Sequence, residues 1–358
     1  MQALLAKEKF FTIYLDVGDV LDLANIDYLD ILMSIAYATE KQVRSACYQI
    51  NSTLMEELYN WFAEKTSIQL EKHDKELGVG SQAGIGTKIP LLGELFANIT
   101  SQLSSGSSQR DEIRITFKRE WTVFIERLNK LIAEARRQVQ QSAAKLKDIV
   151  IIVDGLEKMF YDLKNGESTH SILFVQHAEQ LKAPECHIIY TVPISLAFNT
   201  NLSNAFGMDT TPVIPMVKLD KAGKGRERFI ELVEKRINID KVFDTPARDL
   251  VAQLVEMSGG AVRDLMRLVR LACQSTDGPL TQANVQRAIH ALVRDYDRFI
   301  LDKDIEALRL VDKQHRVTGD EKYSRLLHIS LIHEYQNDER WADLHPVVRQ
   351  IRWVSNCP

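Results

Sequence analysis

The segment Ile149-Val150-Ile151-Ile152-Val153 puts five β-branched residues in a row and runs into Asp154, Gly155, Leu156 and Glu157. Branched side chains fit a pleated strand better than a helix, where the preceding turn crowds them. A strand with one wet face alternates apolar and polar residues. A run that is apolar at every position has to be covered on both faces, which is the situation of an inner strand in a parallel sheet. The fold class follows: α/β, with helices laid over both sides of a sheet. Asp154 then stands at the carboxyl end of that strand, where open α/β sheets form their ligand crevice.

Other runs fit the same plan. FFTIYLD (10–16) is a short strand that also ends in an acid, HIIYTV (187–192) is another, and PVIPMV (212–217) reads as a last one. Ile26, Leu29, Leu32, Met33 and Ala36 recur at helical spacing, in a pattern that continues to about Lys65. A Gly- and Ser-rich insert follows over 66–110, with GVGSQAGIGTK, SSGSSQ and one apolar piece, IPLLGELFANI. That piece reads either as packed on the domain or as an amphipathic patch for a membrane or a partner. From Arg110 to Lys147 the spacing predicts one long amphipathic helix without Gly or Pro, and a further helix over about 168–182.

After Asp220 the composition changes. Residues 225–310 are helical in period, broken at Gly259-Gly260 and at 277–279. From about 318, EKYSRLLHISL predicts a helix, IHEYQNDERWADL two short strands about a polar turn, and HPVVRQ a helix with Pro346 in its first turn. The expected organisation is an α/β core over 1–220, a helical region over 221–312, and a winged-helix-like end over 313–358. A net charge of −4 supplies no basic field for nucleic acid. Cys47, Cys186, Cys273 and Cys357 lie far apart and read as free thiols, and no signal peptide or membrane span is evident, so the expected location is cytoplasmic.

Four residues carry candidate chemistry. Asp154 at a strand tip is suited to hold Mg²⁺ through water, though an Asp there also serves simply as the cap of the next helix. Glu157 is placed to polarise a water. Thr191 ends the neighbouring strand, within reach of a phosphate or of that water. Arg263, in SGGAVRDLMRLVR (258–270), is the first arginine of a helix opened by a glycine pair. Arg267 and Arg270 continue its stripe and read as a solvated face.

With these pieces in this order, the chain resembles the AAA+ and related signal-transducing ATPases, which are P-loop NTPases. IVIIVDGLEK resembles their Walker B strand, IIYTVP their sensor 1 strand, and GGAVRD the sensor 2 arginine of their helical lid. The C-terminal end resembles the winged helix of the origin-recognition, transposition-regulator and bacterial-defence branches. The resemblance implies ATP and Mg²⁺ as cofactors, Mg²⁺ coordination by Asp154, water activation by Glu157, γ-phosphate sensing by Thr191 and phosphate contact by Arg263. It also implies a homo-oligomer whose nucleotide state controls assembly or partner binding. Asp-Gly-Leu-Glu departs from the adjacent acids of the family.

No G-x-x-x-x-G-K-[ST] occurs in the sequence. GVGSQAGIGTK and KAGKGRER (221–228) miss the pattern and read as loops. Because FFTIYLD matches the family's second strand, the expectation is that Met1 is an internal start, that the first strand and phosphate loop are missing, and that the chain as given binds ATP poorly. The alternative is a non-hydrolysing protein- or DNA-binding scaffold built on the same architecture. Arg226 or Arg228 would be an arginine finger or part of a solvated face. Arg325, Arg340, Arg349 and Arg352 are the cations a winged helix would offer to DNA, with Trp341 packing the wing, and Glu334, Asp338 and Glu339 oppose that use. His315, His328, His333 and His345 show no ligand spacing.

Overall fold

The structure, a computed structural model, describes residues 9–66, 92–105, 108–142, 146–199, 202–209, 212–219, 224–336 and 339–351. The chain divides into two compact units, residues 1–193 with 202–209, and residues 194–201 with 210–358.

The first unit is built on a parallel sheet of three strands, ordered β1 (Phe10–Asp16), β2 (Asp148–Asp154) and β3 (His187–Tyr190). The β-branched run behaves as its composition dictates: Ile149 to Val153 are buried in the central strand. β3 is apolar yet only half-buried, and among the described residues it is an edge of the sheet. The outer edge of β1 is closed by a side chain. Gln42 accepts the backbone N–H of Tyr14 at 3.0 Å and donates to its carbonyl at 2.7 Å, taking the hydrogen bonds a further strand would make.

The helices of the unit differ in their bounds from those expected. α1 (Tyr28–Ser45) starts at a capping box between Asp27 and Asp30, and the chain turns at Cys47, whose φ is 63°, before α2 (Ser52–Thr66). The apolar piece of the insert is α3 (Leu92–Ser104), with Leu92, Leu95, Phe96 and Ile99 fully buried, so it packs on its own unit. The rest of the insert, including GVGSQAGIGTK, lies outside the described residues. The predicted long helix is two, α4 (Ser108–Arg119) and α5 (Trp121–Gln141), broken at Glu120. Phe117 and Phe124 stand on either side of the break, their ring centroids 4.9 Å apart and both against Phe62. The helix expected over 168–182 has a π turn at Ile172–Gln176. Beneath α1 the carboxylate of Asp30 is 2% exposed and is held by the guanidinium of Arg114. Such a buried pair costs about 3–5 kcal/mol to break by removing one member.

PVIPMV requires a correction. Residues 212–219 form no strand of the parallel sheet and belong to the second unit, where Met216 N donates to Glu334 O at 2.8 Å. Pro212 and Pro215 lack the N–H groups an inner strand needs, so the segment follows an edge.

The second unit contains α6 (Lys224–Glu234), α7 (Ala247–Met257), α8 (Val262–Cys273), α9 (Gln282–Asp297), α10 (Ile305–Gln314) and α11 (Glu321–His328). An antiparallel hairpin of β4 (Ile332–Gln336) and β5 (Arg340–Leu344) and a turn of helix at Pro346–Arg349 follow. One apolar cluster runs from Phe229 in α6 to Ile351. Gly259 and Gly260 have φ of 59° and 82°, and a Cβ on Gly260 would stand 1.9 Å from the carbonyl oxygen of Val217. The glycine pair lets the start of α8 approach both the 212–219 segment and the hairpin.

Candidate functional site at the strand tips

The parallel register aligns the tips of the first unit's strands. Asp16 lies opposite Asp154, and Tyr190 opposite Val153. Thr191 N then donates to Val153 O at 3.0 Å, which carries the ladder one residue further and sets the Thr191 side chain beside Asp154 and Gly155.

Gly155 turns the chain at the tip, with φ of 89°, and a Cβ there would lie 2.6 Å from Asp16 Oδ1. Only glycine supplies both that conformation and that clearance. Its N–H donates to Asp154 Oδ1 at 2.9 Å and to Thr191 Oγ1 at 3.0 Å. The short helical turn Leu156–Lys158 follows and doubles back, so that Thr191 Oγ1 donates to Glu157 Oε2 at 2.7 Å. The Asp-Gly-Leu-Glu spacing thereby acquires a physical meaning: a left-handed glycine and one tight turn return the second acid to the sheet tip.

Three groups at the tip escaped the sequence reading. Tyr14 precedes Asp16 by two residues and so shares its face of β1, and its hydroxyl donates to Asp154 Oδ2 at 2.7 Å. That hydrogen bond, helped by burial and the acids around it, pushes the Tyr14 phenol up to about 12. Asp16 accepts from Gly18 N at 3.0 Å and faces Lys158 Nζ at 3.6 Å. The signal for Asp16 was present, since two parallel neighbours that both end in Asp bring their acids together. Nothing in the sequence pairs Tyr14 with a residue 140 positions away.

Asp154, Glu157 and Thr191 are thus assembled, each half-buried, with Asp16 beside them and Lys158 as the cation of the group. Three carboxylates against one ammonium favour a cation at the tip. Each oxygen of Asp154 has one hydrogen-bond donor and keeps lone-pair capacity for a metal-bound water. A triphosphate finds less, because Lys158 is committed to Asp16 and the sequence holds no GK[ST] loop.

The fourth predicted site residue, Arg263, belongs to the second unit and is exposed in the first turn of α8. Of its stripe, Arg267 pairs with Asp295 and Arg270 is exposed. The other arginines are also largely committed. Arg226 meets Glu256 at 3.1 Å, Arg228 meets Glu231 at 2.8 Å, and Arg325 meets Asp304 at 2.7 Å. Arg340 pairs with Glu334, and Arg349 with Asp312 and Asp343. Arg352 and Asp338 lie outside the described residues. Trp341 stacks on Tyr335 with ring centroids 4.3 Å apart.

Two of the four histidines judged unrelated do meet: His333 and His345 stand with Asp264 in the interior of the second unit, which sequence spacing concealed because Asp264 comes from α8. Comparison of the chain with protein-family models, curated protein sequences and solved structures finds no match. Among the described residues no helix is long and apolar enough to cross a membrane.

Proposed function

We propose that the chain carries a Mg²⁺–ATP-handling module of AAA+ type whose nucleotide state governs assembly or partner binding. The observation that supports it is the meeting of Asp154, Glu157 and Thr191 at adjacent strand tips, linked through Gly155 N–H and the Thr191 hydroxyl. Asp154 holds the ion through water, and the ion supplies charge neutralisation of phosphate oxygens when bound. Glu157 orients and deprotonates the attacking water, with Thr191 fixing the carboxylate's direction through its hydroxyl hydrogen bond. Arg263, a phosphate contact only by the resemblance, is exposed in the first turn of α8 of the second unit.

The test is Mg²⁺-dependent binding of ATP to the chain, followed by ¹H–¹⁵N spectra with and without the metal. Weak binding is expected, with shifts at Gly155 and Thr191, and Asp154→Asn should abolish its Mg²⁺ dependence. Equal, metal-dependent binding by Asp154→Asn overturns the reading.

A second reading, a non-hydrolysing scaffold, draws on the missing GK[ST] loop. Within it, the pairing of Arg325, Arg340 and Arg349 with the chain's own carboxylates favours a protein partner over DNA.

A further inference from the structure

Asp264 is 7% exposed, in the first turn of α8. Its Oδ2 accepts from Tyr296 Oη at 2.8 Å and from His345 Nε2 at 3.2 Å. His345 is fully buried, and its Nδ1 accepts the backbone N–H of Val347 at 3.2 Å. The single ring proton therefore sits on Nε2, and the ring is neutral. His333 is also fully buried, with Nδ1 3.1 Å from the carbonyl oxygen of Gly259. A carbonyl only accepts, so Nδ1 carries the proton and Nε2 presents a lone pair, which has no partner among the described residues. One ring nitrogen from each histidine and one Asp264 oxygen lie within 4.8 Å of one another.

Two unanswered needs thus share one place. A buried carboxylate is met by two neutral donors, and Arg267 on the same helix is taken by Asp295. Beside it a buried imidazole nitrogen lacks a donor. A divalent cation that accepts nitrogen and oxygen ligands satisfies both at once, which is the donor preference of zinc and its neighbours. The hydrogen bond from His333 Nδ1 to the Gly259 carbonyl is the outer contact that orients a metal-bound imidazole.

We propose that Asp264, His333 and His345 form a buried structural site for a divalent transition-metal ion of the zinc class, fastening the start of α8 to the hairpin. Bond lengths of about 2.0–2.1 Å in a tetrahedral site require ligand atoms to close to roughly 3.4 Å, a movement on the order of 1 Å by the rings. On loading, the ion takes the place of the His345 Nε2 proton. That proton moves to Nδ1 of the same ring, and Val347 N–H gives up its acceptor. Tyr296 Oη, already on Asp264, or a water completes the shell. The site is independent of the nucleotide reading and survives its failure.

The test uses the full chain expressed in medium supplemented with Zn²⁺ and, separately, Co²⁺, so that an interior site can fill during folding. Metal content after gel filtration and the visible absorption of the cobalt protein are the readouts. A stoichiometric ion with the intense bands of tetrahedral cobalt is expected. His333→Ala and His345→Ala should each weaken binding by more than the roughly 10–100-fold that loss of an outer-shell partner costs, in competition with a chromophoric chelator, while the exposed His315→Ala should not. Should His333→Ala fail to fold, His333→Asn keeps a donor for Gly259 and removes the ligand nitrogen. Background metal content in the parent chain, meaning a water or proton alone at the site, overturns the proposal. So does binding that His333 and His345 variants leave unchanged.

Discussion

The strand-tip cluster of the first unit and the Asp264 cluster of the second use similar groups under opposite conditions. At the tips, Asp154, Glu157 and Thr191 are half-buried, and their hydrogen bonds leave oxygen capacity free toward water. Around Asp264 the side chains of His333 and His345 are fully buried, and each polar contact is internal. Exposure separates the two roles. A half-exposed set of acids can take and release a hydrated ion with little cost, whereas a buried set holds its place by what each group forbids the others to lose.

The largest expected effect falls on the buried side. Asp264→Ala leaves the Tyr296 hydroxyl and the His345 Nε2–H without their acceptor, and each buried donor so stranded costs about 1–3 kcal/mol. Denaturant unfolding followed at Tyr335 and Trp341 should show a loss on the order of 3 kcal/mol. A loss under about 1 kcal/mol would mean the cluster is no better knit than the tips.

Acid should separate the clusters next. Burial drives the His333 imidazole down to about 3. Its unfolded counterpart takes a proton near 6.5, so between those values the unfolded chain binds more protons than the native one. Stability of the second unit should therefore fall as pH drops through 6.5 and continue falling toward 3. The Asp264 carboxyl lies below its usual range despite burial, through its bonds to His345 and Tyr296, and adds to the loss as pH passes below the carboxylate range. Unfolding in chelator across pH 4–8, compared with His333→Asn, measures it. An unchanged slope in the variant would remove His333 from the account.

The smallest effect belongs to the tips. Tyr14→Phe deletes one hydrogen bond at a half-open site and should cost about 1 kcal/mol or less. It should also remove from the ultraviolet titration a phenol that ionises near 12. A cost of several kcal/mol would show that the tip is as rigid as the interior.

Particular residues show how far the sequence could be read. The run Ile149–Val153 announced a buried parallel strand, and the acid closing DIVIIVD announced the tip, because side-chain period and chain direction are local properties. The break between α4 and α5 was not legible, since no Gly or Pro marks it. PVIPMV carried a strand's hydrophobicity without saying that Glu334, more than a hundred residues on, would receive it.

What the sequence determined alone was composition-driven: an α/β unit with a covered strand, a helical unit after it, glycines where the chain has to turn or be approached, and Asp154 at a strand end. The tertiary structure decided which distant groups meet. Tyr14 reached Asp154, Glu157 came back to Thr191 around Gly155, and Asp264 found two histidines from the hairpin end of the chain. Strand and helix periods are written in neighbouring residues, but a hydrogen bond between elements depends on where packing sets their backbones, and no single segment encodes that.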